Sequence, residues 1–441
     1  MVDGRKVERD IEDLPVNIKL SQLNAILLKI FLIVVFFVYY QTILIPGTLH
    51  GWVLVLGFTF TLPIVLQNFR NSHGKLPFDY TALGFLGLLY LLGFLANYSD
   101  ALLENLQAYL LTLVCYVFVR ENISTLPMTF LYSLLRYFLL CNGLLVILQF
   151  ITGEFYPARY LAGDAPFQIS SGFSDGPAKN GMLIAFALSF VFAKLLWAQA
   201  RASFLDIVVF VVGAISLVLS ASRAGLLSFC IAALLASIFS VAKRKQFRPN
   251  IKNAVVILFV FLTPLGVVLA GAFDFETLAG FRDPNIEKYG GNVVIYKLTV
   301  AEDDSSAERL GNIEHMLRMI ANSPMQLFSV GFGLGSFISF NEGLNIHNSY
   351  FEVLFETGVY GFLAFVFLIV HVIRKALSRR DAAEVLPVLF ALLSVMVFMA
   401  FHDVLRGRTF WIPLAILASF AYAKTEPKEC PLGRSSGKLV H

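Results

Sequence analysis

Residues 205–245 read LDIVVFVVGAISLVLSASRAGLLSFCIAALLASIFSVAKRK, and this stretch decides what kind of protein the chain is. An apolar run at 205–221 and a second at 224–242 are separated by a short turn of small and hydroxyl-bearing residues around Ser220 and Arg223. The second run ends on Lys243, Arg244 and Lys245. Each run approaches the roughly 20 apolar residues that carry a helix across a bilayer. Hydrocarbon offers the backbone no water, so its N–H and C=O groups must pair within the segment, and a helix does this. Working outward, similar runs lie at 25–45, 50–69, 78–96, 104–119, 126–150 and 179–199 on one side. On the other they lie at 252–271, 350–371, 383–402 and 409–423. The fold expected is an all-α polytopic integral membrane protein with about 12 transmembrane helices. It forms one transmembrane domain over residues 1–441, into which a loop of residues 272–349 is inserted.

Composition agrees. The 441 residues are 57% hydrophobic and 15% charged, with 43 Phe against 34 Lys and Arg together, and a mean hydropathy of +0.73. Soluble domains carry about 25% charge. A soluble enzyme, a secreted disulfide scaffold and a disordered interaction protein are therefore excluded. The net charge of +4 is not gathered on a face, so nucleic acid is not an expected partner; the lipid bilayer is. Cys115, Cys141 and Cys230 lie inside apolar runs and Cys430 in the polar tail, without metal-like spacing. The polar segment Met1 to Ser21 lacks a small-residue cleavage site, so the first apolar run is expected to remain as an anchor.

Charge in the short loops sets the expected orientation, because basic residues accumulate on the cytoplasmic side. With a cytoplasmic N-terminus, that side holds Arg70, Lys75, Arg120, Lys194, Arg201, the 243–252 cluster, Arg374, Lys375, Arg379, Arg380 and the basic tail. The other side holds the smaller share, including Arg159, Arg223, Arg309, Arg406 and Arg408. Both termini are then cytoplasmic, and the 151–178 connection, the Ser220 turn, the 272–349 loop and the 403–408 turn lie outside. Within the long loop, Ile313, Met316, Leu317 and Ile320 recur at helical spacing, and Asn322, Ser323 and Pro324 end the segment.

Polar residues within or beside spans need a reason to be there. Arg223 reads either as an arginine snorkelling at the interface or as an anion clamp, since guanidinium offers paired donors that match phosphate. Its small neighbours Ser222, Ala224 and Gly225 permit close approach. The segment from Gly331 through Gly333 to Gly335 lacks the Lys and Ser/Thr of a nucleotide loop and predicts a tight turn that brings backbone near a ligand or the membrane. His347 is an interfacial histidine or a base able to take the proton of a hydroxyl nucleophile. Asn348 or Ser349 can cap the helix that follows, and Tyr350 lies in its first turn. Glu352 and Glu356 share one face of that helix, and Glu356 is expected to have a partner, such as an arginine from another span. Arg136 is expected to face the bundle interior and to be paired there.

Four segments together resemble the O-antigen ligase and O-antigen polymerase superfamily of bacterial inner-membrane glycosyltransferases. They are Ser171-Gly-Phe-Ser-Asp175 with Pro177, Asn180 and Gly181; Ser220-Ala-Ser-Arg223-Ala-Gly225; Arg309 followed by Gly331-Phe-Gly-Leu-Gly335; and His347-Asn-Ser-Tyr350 continuing to Glu356, Gly358 and Gly361. The similarity spans roughly residues 170–365. The resemblance implies a GT-C-like architecture, an active site on the periplasmic face of the bacterial inner membrane, and no cofactor, metal or nucleotide sugar. It implies transfer of a glycan from an undecaprenyl-diphosphate carrier to lipid A-core oligosaccharide, with inversion. Carried onto this chain, it gives the diphosphate to Arg223 and Arg309, with Arg159 as a third candidate, and makes His347 the base or orienting group. Asn348, Tyr350, Glu356, Ser222, Gly333 and Gly335 support them. Where the family often has an arginine before the glycine–phenylalanine pair, this chain has Gln168 to Ser171, and Ala178 and Lys179 separate Pro177 from Asn180.

Two alternatives stay open. A carrier-linked glycan could replace lipid A-core as acceptor, making a polymerase, and a protein acceptor is a further variant. A transporter or lipid flippase would fit the many spans and Arg136, but the polar groups gather on one face and no paired broken helices are read.

Overall fold

The computed structural model describes residues 15–37, 49–71, 75–96, 100–152, 170–174, 176–197, 203–242, 304–337, 347–379, 384–405 and 407–423. Every regular element among them is helical: α1 (Pro15–Phe37), α2 (Leu49–Asn71), α3 (Phe78–Ala96), α4 (Asp100–Asn122), α5 (Met128–Thr152), α6 (Pro177–Leu196), α7 (Phe204–Leu219), α8 (Arg223–Ala242), α9 (Asp304–Asn322), α10 (Pro324–Leu327), α11 (Ser349–Leu377), α12 (Leu386–Met399) and α13 (Arg408–Tyr422), with a short 3₁₀ turn at Ile123–Thr125. Among the described residues, six helices are long and apolar enough to cross a membrane, and shorter apolar helices lie at Ser21–Phe37, Phe204–Leu219 and Leu386–Phe398. The run at 252–271 and residues 272–303 and 338–346 of the long loop lie outside the described residues.

α6 is the central helix. It is buried along nearly its whole length and packs against α5, α7, α8 and α12. A second group, α3, α4, α11 and α13, packs beside it, and α12 joins the two groups by contacting α13. Ring contacts fix helix polarity. Phe390, near the start of α12, stacks on Trp197 at the end of α6 (centroids 5.3 Å apart) and meets Phe239 near the end of α8 (5.9 Å). The beginnings of α6 and α8 therefore lie at the same end of the bundle as the end of α12. Asn348 and Ser349, at the start of α11, hydrogen-bond the carbonyls of Ala400 and His402 just beyond α12, which adds α11 to that end. This is the motif-bearing end.

The opposite end is closed by charge. Asp79 is fully buried and accepts from the Tyr116 hydroxyl (2.9 Å) and pairs with Arg120 Nε (2.5 Å). Glu121 also pairs with Arg120 and accepts from Tyr80. The Arg120 guanidinium lies over the rings of Tyr80 and Tyr422, and Lys375 Nζ lies 3.4 Å from the Tyr422 centroid. Arg120, read from the sequence as a loop cation, is thus a buried member of the last turn of α4, and that helix runs past the 104–119 expected for it. Burying the charge is tolerable because its partners are supplied in place. Arg136 is paired as expected, with Asp206 at 3.2 Å, but the partner sits in the first turn of α7. Ser203 and Asp206 form a reciprocal capping box there, so one carboxylate serves both helix start and ion pair.

Candidate active site

The first motif hangs from α5. Gln149 Oε1 accepts the backbone N–H groups of Ser171 (3.1 Å) and Gly172 (2.9 Å), and its Nε2 donates to the Gly172 carbonyl (3.3 Å). One turn pair earlier, Asn142 Oδ1 accepts from Phe173 N–H (2.9 Å), and Asn142 Nδ2 donates to Asn180 Oδ1 (2.9 Å). All three amide side chains are buried. Such groups are stable in an apolar interior only when hydrogen-bonded, and here they hold an irregular segment that has no ladder of its own. Asn142 and Gln149 are absent from the residues picked out of the sequence. Their signal was present, since two amides seven apart in an apolar run share a helix face.

The second motif grips the first. Gly225 faces Gly181 so closely that a Cβ on it would lie 2.9 Å from the Gly181 carbonyl carbon and oxygen. The starts of α6 and α8 therefore touch backbone to backbone. Ser222 Oγ accepts Gly225 N–H (3.2 Å) and caps α8, which makes Arg223 the first residue of the helix. Arg223 is half-buried, and Ala221, two residues before it, has a left-handed φ of 49°.

The glycine segment has a different task from the one expected. Gly331 and Gly358 both have positive φ, 79° and 68°, and a Cβ on Gly331 would lie 2.4 Å from the Gly358 nitrogen. At Gly358 the backbone leaves helical geometry and α11 is broken. The loop pairs with the carbonyls beside the break: Phe332 N–H donates to Phe355 O (2.8 Å) and Gly333 N–H to Glu356 O (3.1 Å). Gly333 also meets Gly93 of α3. These glycines thus admit backbone to backbone; the approach is to two helices of this chain. The loop is anchored by Phe332, stacked on Phe355 at 4.3 Å, and by Phe337 and Met316 in the same cluster.

The fourth motif builds the start of α11. Asn348 Oδ1 caps the helix by accepting from Tyr350 and Phe351 N–H (3.1 Å each), while its Nδ2 donates to Ala400 O (2.9 Å). Ser349 Oγ donates to His402 O (2.8 Å) and accepts from Val404 N–H (2.9 Å), and Tyr350 donates to Met396 O (2.8 Å). His347 precedes the cap with φ 54°. Its ring lies edge-on to His402 at 6.3 Å, and His402 stacks on Phe398 at 4.6 Å. His402 is a second histidine at this junction that sequence reasoning passed over.

Glu356 has a described partner set other than an arginine. Its Oε1 accepts from Gly335 N–H (2.6 Å) and its Oε2 from the Tyr109 hydroxyl (3.1 Å), which also reaches Glu352 Oε1 (3.3 Å). Tyr109 is buried, stacks on Tyr90, and stands 243 positions before Glu352. One phenol therefore ties α4 to α11, and through Glu356 to the glycine loop.

Arg223 and His347 thus occupy the same end of the bundle, linked by α12, which packs on α8 and is followed by the Ala400 carbonyl that accepts from Asn348 Nδ2. Arg309 belongs to the first turns of α9, whose later residue Met316 packs into the glycine-loop cluster; its side chain and all of Arg159 lie outside the described residues. No curated protein matches the chain. Residues 208–366 match the family described as O-antigen ligase. That segment takes in the Arg223, glycine-loop and His347 motifs and begins after the Ser171 to Gly181 motif, which packs against the Arg223 turn. Residues 208–366, from α7 into α11, thus carry the likeness to the O-antigen ligase family, within an apolar bundle in which six of the described helices are long and apolar enough to cross a membrane.

Proposed function

We propose that the protein is an O-antigen ligase that moves glycan from undecaprenyl diphosphate to lipid A-core oligosaccharide at the periplasmic face of the inner membrane. The observation that carries this reading is the common end shared by Arg223 and His347 within the matched domain. The loop-charge bias supports assigning that end to the periplasm.

In this mechanism the donor is joined to its carrier through the anomeric carbon. As that bond breaks, negative charge grows on the diphosphate oxygen. Arg223, at the first position of α8, combines its own charge with the positive end of the helix. Fixed donors of this kind stabilise a leaving group most where water is excluded. Arg309 and Arg159 serve as further guanidiniums for the same anion. The acceptor hydroxyl attacks the opposite face of the sugar, so the anomeric configuration inverts. His347 accepts the hydroxyl proton as the new bond forms, and Asn348 and Tyr350 hold the histidine's segment against α12. The polyprenyl chain stays in the bilayer throughout.

The test is reconstitution of the purified protein with carrier-linked glycan, offering lipid A-core and a second carrier-linked glycan in separate reactions. Glycan moving onto lipid A-core supports the ligase. A ladder growing on the carrier would make the protein a polymerase, and no transfer to either acceptor would overturn the transferase reading.

A further inference from the structure

The corner between α9 and α10, at residues 322–328, belongs to the loop that the sequence assigns to the aqueous side. Its contacts set it lower. A Cβ on Gly358 would lie 2.7 Å from the Leu327 carbonyl oxygen and 3.0 Å from that of Ser329. Gly358 is well inside α11: the stretch from it to Ile373, just before Arg374 and Lys375, makes about 24 Å of helix at ~1.5 Å per residue, most of the roughly 30 Å of bilayer hydrocarbon. A second ruler agrees. Gly333, a few residues beyond the corner, meets Gly93, which is close to the end of the apolar run Phe78–Leu95. Both rulers set the corner at the hydrocarbon boundary on the motif-bearing side.

Two large apolar side chains face outward there, Met325 at 79% exposure and Phe328 at 60%. Just below, α11 exposes Tyr360, Leu363 and Phe367, whose spacing keeps them on one face turned to acyl chains. The polar face of α9 is different: Arg318 and Glu314 are exposed and paired with each other (2.6 Å).

We infer that the α9–α10 corner is an interfacial membrane anchor in which Met325 and Phe328 insert into the acyl–headgroup boundary of the leaflet on the motif-bearing side. The occupant of this surface is lipid, because the same level of α11 already faces hydrocarbon and the patch continues that band. The anchor holds the 331–337 loop at headgroup depth. It depends on membrane embedding alone, and not on the transfer chemistry.

The test uses the full chain with Cys115, Cys141, Cys230 and Cys430 replaced by Ser, reconstituted in phosphatidylethanolamine–phosphatidylglycerol vesicles. Met325→Cys, Phe328→Cys and, as a water-phase control, Arg318→Cys each carry a nitroxide, and collisions with oxygen and with a water-soluble nickel chelate are compared. The expected result is an oxygen-to-nickel ratio several-fold higher at 325 and 328 than at 318. Ratios equal to that at 318 would overturn the anchor. So would spin–spin broadening that disappears on dilution with unlabelled protein, which would identify a second copy as the occupant. Should the labels disturb folding, Met325→Trp and Phe328→Trp in a chain with Trp52, Trp197 and Trp411 replaced by Phe report the same depth through brominated lipids; strong quenching supports insertion and none refutes it.

Discussion

Arg223 and His347 share an unusual backbone setting. Ala221, two residues before Arg223, and His347 itself are the described non-glycine residues with positive φ. Such conformations cost of order 1–3 kcal/mol and persist only where the surroundings enforce them. Here the Gly181–Gly225 contact and the Asn348 cap do so. Replacing Arg223 with Ala removes a preorganised charge, so transfer should fall by at least ~10²-fold while the protein stays at normal level in the membrane. Normal transfer by the purified variant would remove Arg223 from the diphosphate site. His347→Ala should lose about 10²–10⁴-fold, measured as product formed under saturating donor; full activity would eliminate the histidine as base. Tyr109→Phe tests the tie between Glu352 and Glu356. It leaves two buried carboxylates without their shared hydroxyl donor, at a cost of about 1–3 kcal/mol. A lowered unfolding temperature in detergent, with reduced transfer, is expected; an unchanged melting curve would show that the hydrogen bonds do not matter.

The broken helix α11 is the element on which the motifs depend. Two carbonyls beside the break, Phe355 and Glu356, receive N–H donors from the loop, so the irregular backbone is satisfied by protein inside an apolar setting. A methyl group at Gly358 would meet the carbonyls of Leu327 and Ser329 at 3.0 Å or less, on a φ of 68°. Gly358→Ala should therefore cost about 1–3 kcal/mol from the backbone alone, since φ 68° with ψ −174° is a region essentially reserved for glycine, seen as a lower unfolding temperature and easier proteolysis of the 324–337 segment. An unperturbed variant would mean that the loop does not dock on the break. Read as sequence, 350–371 is one uninterrupted span, and Gly358 and Gly361 are motif glycines with nothing local to mark a break. What forces the break is a loop about 25 residues earlier in the chain, and no local pattern records that contact.

Across the bundle, the two ends are built from different materials. The motif-bearing end is held by amides, hydroxyls and glycine contacts, and the other by the Asp79–Arg120 ion pair with its tyrosines. Asp79 is 0% and Arg120 7% exposed, so removing Arg120 leaves two buried carboxylates, Asp79 and Glu121, without their guanidinium. Arg120→Ala should destabilise the protein by about 3–5 kcal/mol, measured by thermal unfolding in detergent. Asp79→Leu and Arg120→Leu combined with Glu121→Gln should regain much of that loss, because the desolvation cost disappears with all three charges. Transfer per folded molecule should stay near normal in the triple variant, since the network lies at the far end. Loss of transfer without loss of stability would tie this network to the site.

Hydropathy and loop charge made the all-helical, membrane-embedded character legible, along with most helix positions, the cap at Asn348 and the amphipathic helix ended by Asn322. These follow from local chemistry: a run of apolar residues, or a side chain that bonds a backbone group two or three residues away. The motifs named Arg223 and His347 in the same way. The break at Gly358, the burial of Arg120, the partners Asn142, Gln149 and His402, and the phenol of Tyr109 between two glutamates came from packing. Each joins segments far apart in the chain, and whether two backbones can close to contact depends on the shapes of both surfaces.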